Sequence, residues 1–187
     1  MIPLPFLLAI ADPASGQVLP ALEAFDALCG TSETVADVQD ASKVLGWASF
    51  EPENGTDQAS LAAALTKMPS SEFEYELLIF RENSGTRTVF ALDVHAPNGE
   101  GTFECKLIDE NAVAPTDHEY LAWTGKQPTD RKRSGDTEVL VWAPSHLRAP
   151  RFVAAYFVPP DSKPIFPGKG LIVSSVRYDN SQVKGDE

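Results

Sequence analysis

The sequence predicts an α+β fold: a mainly antiparallel sheet of about six strands (three strands, a helix, three strands) with N-terminal helices packed on one face. Three observations predict it. Apolar residues recur at helical spacing early in the chain, and a capping-box spacing at Thr116 and Glu119 starts a further short helix. From Phe73 onward, stretches of alternating or continuous apolar residues of strand length take over. Turn signals rich in Gly, Pro and Asn separate several of these stretches, which suits meanders.

The elements follow in order. Val18, Leu22, Phe25 and Cys29 lie on one face of a first helix that Gly30 stops. Thr31 or Ser32 can cap a second helix with Val35, Val38, Ser42 and Leu45 inward and Gly46 at its end. Phe50 to Gly55 reads as a loop. Its Asn54-Gly55-Thr56 pattern accepts a glycan only in a eukaryotic secretory path. Asp57 can cap a third helix with Leu61 and Leu65 inward, stopped by Pro69. Phe73–Phe80 and Arg87–His95 flank Glu82-Asn83-Ser84-Gly85 as a hairpin, and Pro97-Asn98-Gly99 turns into a strand over Thr102–Ile108. Thr116 and Glu119 have capping-box spacing for a fourth helix that Gly125 closes. Strands over Thr137–Ala143, Arg151–Val158 and Leu171–Tyr178 complete the set. The expected division is an arm or signal-peptide remnant over residues 1–16, one domain over 17–179, and a polar tail over 180–187.

Composition narrows the functional classes. The 187 residues carry 15 basic and 27 acidic side chains, a formal net charge of -12. So acidic a chain lacks the cation surplus that nucleic-acid phosphates need, and it has no apolar run of the ~20 residues that span a bilayer as a helix. Leu4 to Ala11 is apolar, and Ala9-Ile10-Ala11 before Asp12 has the form of a signal-peptide cleavage site. The stretch is short and no Lys or Arg precedes it, so an N-terminal arm is the other reading. In the helix and strand assignments Cys29 and Cys105 both point inward, which suits either a disulfide or two buried thiols.

A helix ending in Cys29, Gly46-Trp47 after the second helix and a strand cysteine at Cys105 form an order that resembles small exported bacterial proteins of unassigned function. The resemblance covers most of the chain and supplies no active site. It implies a periplasmic domain with one disulfide, Cys29–Cys105.

Few residues offer chemistry. Asp93 and His95 alternate with Phe90 and Leu92, so they share a sheet face, expected to be the less apolar one, and are the candidates for a ligand or metal. Glu74, Glu76, Glu104 and Lys106 fall on polar sides of neighbouring strands. Asp117-His118-Glu119 cannot form a triad, because adjacent helix residues point apart. No metal-site histidine spacing, nucleophile elbow or phosphate loop occurs in the sequence. Residues 1–125 hold 5 basic and 20 acidic side chains, whereas Arg131-Lys132-Arg133, read as a loop, and the later Arg148 and Arg151 make the remainder basic. That loop, with Phe166 at an apolar tip between prolines, is the candidate partner contact.

The expectation is therefore an exported, periplasmic, non-catalytic domain that binds an unknown ligand or a protein partner of the envelope, with no cofactor and no metal. One alternative is an enzyme or metal-binding protein using the Asp93/His95 face. The other is a cytosolic domain with buried free thiols.

Overall fold

A computed structural model describes residues 19–67, 73–98, 100–134, 137–147, 151–162 and 167–179. The candidate signal remnant, Phe166 and the polar tail lie outside them. Helix α1 spans Pro20–Cys29, with proline in the first turn where its missing N–H removes no bond. Helix α2, Val35–Val44, is capped by Thr34 rather than by Thr31 or Ser32. Asp37 N–H donates to the Thr34 hydroxyl, and Thr34 N–H donates back to the Asp37 carboxylate at 3.0 Å. The two-residue strand β1, Ala48–Ser49, precedes α3, Asp57–Thr66, whose cap is Thr56. Strands β2 (Glu74–Arg81), β3 (Arg87–His95) and β4 (Gly101–Asp109) form a meander. Helix α4, Asp117–Thr124, has the Thr116–Glu119 capping box and ends at Gly125 in the left-handed region. A second meander follows: β5 (Asp130–Ser134), β6 (Thr137–Trp142), β7 (Arg151–Val158) and β8 (Gly170–Asp179).

Among the described residues eight strands make one sheet in the order β1-β2-β3-β4-β8-β7-β6-β5, antiparallel throughout. The second meander starts at the far edge and works inward until β8 pairs with β4. Two of the eight strands are absent from the sequence reading. Arg131, Lys132 and Arg133 lie in β5, not in a loop, with Arg131 opposite Leu140 and Lys132 opposite Val139. A five-residue strand with no apolar side chain leaves no alternating signal, and charge is what a sheet edge tolerates. The other missing strand, β1, is too short to show a period.

The helices divide between the faces, contrary to packing on one. Helices α1, α2 and α4 cover the face carrying Val89, Cys105, Val153 and Val173. Helix α3 packs Leu61 on the other face, against Ile79, Phe90 and Ile172. Helical spacing marks which residues turn inward but not which side of a sheet receives them. Thr88 to Leu92 are five successive buried residues, as a strand covered on both faces requires. Under α4, Trp123 stands edge-on to both Phe25 and Trp142, with ring centroids 5.9 and 5.8 Å away.

The disulfide joins the last residue of α1 to the middle of β4. Both half-cystines are fully buried, and their Cα atoms are 5.7 Å apart.

Gly170 is where β8 must begin tightly against the end of β4. Its φ is +78°, and an added Cβ would stand 2.1 Å from the Asp109 carbonyl oxygen. Gly85 has a similar φ of +79° with open space around it. Gly170→Ala is therefore expected to lower stability by at least about 2 kcal/mol, and Gly85→Ala by about 1 kcal/mol, in urea unfolding. Equal losses at the two sites would contradict the close approach.

Candidate functional site

The candidate site lies at one end of the helix-covered face, one pleat beyond the disulfide. Cross-strand pairing sets Glu76, Asp93, Phe103, Arg177 and Arg151 in a row across five adjacent strands. The next row toward the sheet end contains Glu74, His95 and Gly101. Charges collect here because α1 ends and α2 begins above these rows, so the apolar cover runs out. The Glu33 carboxylate, just before α2, accepts from Arg177 Nη1 at 3.0 Å. Arg151 Nη1 donates to the Cys29 carbonyl at 2.7 Å. Between the Glu33–Arg177 pair, Asp93, His95 and Phe103 lies a pocket of about 120 Å³.

The structure brings Asp93 and His95 together. His95 Nε2 is 3.8 Å from Asp93 Oδ1, with the His95 side chain mostly exposed and that of Asp93 largely covered. Their face is the one under α1 and α2, which corrects the expectation of the less apolar side. Asp93 and His95 are nevertheless less buried than Phe90 and Leu92. The absence of a Cβ at Gly101 matters locally, since one would approach His95 Nδ1 to 3.3 Å. Burial raises the Asp93 carboxyl above its ordinary value, against the opposing pull of His95 and of the Val35 backbone N–H. Glu74 and Glu76 share this face, whereas Glu104 and Lys106 oppose Leu92 and Phe90 on the other. There Lys106 pairs with Glu104 at 3.0 Å, Ser174 donates to Glu104, and burial pushes the Tyr156 hydroxyl up to about 12.

Arg131, Lys132 and Arg133 stand apart from this site, on the edge strand β5. All three are exposed. Arg131 pairs with Asp117 and Glu138 at 2.8 and 3.0 Å, and Lys132 with Asp130 at 3.2 Å. Among the described residues no group of three His, Cys, Asp or Glu side chains is arranged to hold a metal ion.

Arg177, Glu33 and the inward setting of Arg151 are what sequence reasoning missed. One signal was present: Arg151 stands in phase with Val153 and Ala155, so strand alternation already turned it toward the core. Comparison of the chain with family models, with curated proteins and with solved structures found no match.

Because burial dominates at Asp93, the folded chain holds that proton more tightly than the unfolded chain. The resulting stabilisation is present below 3.8 and is lost as pH rises through the higher folded value. Asp93→Asn is therefore expected to unfold at higher urea than wild type at pH 7, the gain disappearing below pH 3.8. A variant less stable at pH 7 would mean that the carboxylate's contacts with His95 and α2 outweigh its burial.

Proposed function

We propose that the chain is an exported, non-catalytic binding domain of the cell envelope, with its ligand or a partner's side chain seated in the Asp93–Phe103–Arg177 pocket. The observation that carries this reading is the fully buried Cys29–Cys105 disulfide. A crosslink at the centre of the core suits a chain that matures in an oxidising compartment, because cytosolic thiol reductants oppose its formation. The pocket suits holding rather than reacting. Its Thr34 hydroxyl is committed to the α2 cap, and its Arg177 and Glu33 are paired with each other. An acid–base use of Asp93 and His95 is a second reading, favoured by their 3.8 Å separation.

Alkylation of free thiols as cells of the native host are quenched in acid and denatured tests the compartment. Mass analysis is expected to find Cys29 and Cys105 linked and unmodified. Two alkylated thiols in the mature protein would contradict export and favour a cytosolic role.

A further inference from the structure

Arg151 is the most demanding group among the described residues. It is only 4% exposed, yet among the described residues its Nε and Nη2 have no hydrogen-bond partner. Only Nη1 is satisfied, by the Cys29 carbonyl. A guanidinium stays charged in a protein, and this one is buried with one of its three nitrogens hydrogen-bonded. The unpaired atoms are not scattered. Nε and Nη2 form one edge of the planar group, the edge that grips both oxygens of a carboxylate.

Arg151 is not itself among the pocket's walls, but it adjoins two of them. Arg151 is the cross-strand partner of Arg177, and its Cζ lies 5.5 Å from the centre of the Phe103 ring. Arg177 and Phe103 are both pocket walls. Two like charges directly opposite on neighbouring strands repel, which adds to the demand for an anion between them. The nearby carboxylates are already engaged. Glu33 holds Arg177, and Asp37 accepts from the backbone N–H groups of Glu33 and Thr34 at the α2 cap.

We infer that the Nε–Nη2 edge of Arg151, together with Arg177, is a receptor for the carboxylate group of a small ligand, and that Glu33 holds the place of that carboxylate when the site is empty. This rests on the binding reading of the same pocket and names the ligand class. A planar, singly charged carboxylate fits better than a dianionic phosphate, because Asp93 and Glu33 line the same small space. Entry requires the Glu33–Arg177 pair to part. Their side chains are 42% and 24% exposed, so this pair sits at the solvent side of the site.

The side-chain Nε–H resonance of Arg151 reports occupancy directly in the intact, oxidised wild-type protein. Titration with sodium acetate at pH 7, against sodium chloride at equal ionic strength, is expected to move it saturably, together with the Gly101 and Thr102 amides. Arg177→Gln is expected to weaken acetate about tenfold, which is about 1.4 kcal/mol. Glu33→Gln is expected to strengthen it by about two- to fivefold, by removing the internal competitor. Because the main readout is on wild type, it does not depend on any Arg151 variant folding. An Arg151 resonance that ignores acetate but follows inorganic phosphate would overturn the carboxylate assignment. If a neutral or cationic fragment moves the Gly101 and Thr102 amides while acetate moves nothing, the inference falls and the binding reading stands. If no probe moves any of these signals, both fall.

Discussion

The covalent link between Cys29 and Cys105 is the constraint on which the rest of the arrangement hangs. Cys105 lies at the middle of β4, and β4 with β8 forms the centre of the sheet. Tying the end of α1 to that point fixes where α1 lies across the face and where its C-terminal carbonyl groups end. The Cys29 carbonyl then takes Arg151, and the Ser32 hydroxyl donates to the Leu28 carbonyl at 2.6 Å in the short turn before α2. Four residues, Gly30 to Glu33, separate Cys29 from the Thr34–Asp37 capping box, so the start of α2 follows wherever the disulfide leaves α1. That start, with Glu33, forms one wall of the pocket.

The same constraint explains a polar row next to the deepest core. The row of Ala91, Cys105, Ser175, Val153 and Trp142 is almost wholly enclosed. One pleat further on, the row of Asp93, Phe103, Arg177 and Arg151 is partly enclosed and carries three ionisable groups. A natural sequence is expected to fill such a row with apolar residues unless the charges have a use, since local and global preferences usually agree. Asp93, held protonated more readily than usual, and Arg151, with an unpaired edge, are two places in this row where they disagree. They share one row, with Phe103 and Arg177 between them.

Much of the frame was legible in the sequence because it rests on local rules. The Thr116–Glu119 box, the Gly85 turn and the inward phases of Cys29 and Cys105 each depend on a few adjacent residues. What escaped depends on distant partners. The charged strand β5 exists only because β6 offers it an edge, and α3 takes the opposite face because Ile79 and Phe90 leave an apolar patch there. Asp93 and His95 could be placed on one face, but alternation alone does not say which helix covers it. The role of Arg151 needed both its strand phase and the position of the Cys29 carbonyl, 122 residues earlier in the chain.

Native-state hydrogen exchange on wild type and on a Cys29→Ala/Cys105→Ala variant tests this dependence most directly. A crosslink closing a loop of this span, with a sequence separation of 76, contributes up to about 4.5 kcal/mol on the chain-entropy model. In wild type the amides of α1 and α2 are expected to open together with those of β4 and β8. In the variant they are expected to open at a lower free energy than the sheet centre, which keeps its antiparallel pairing. Wild-type opening free energies for α1 and α2 without the crosslink would contradict this, because the site would then hold its place without the disulfide.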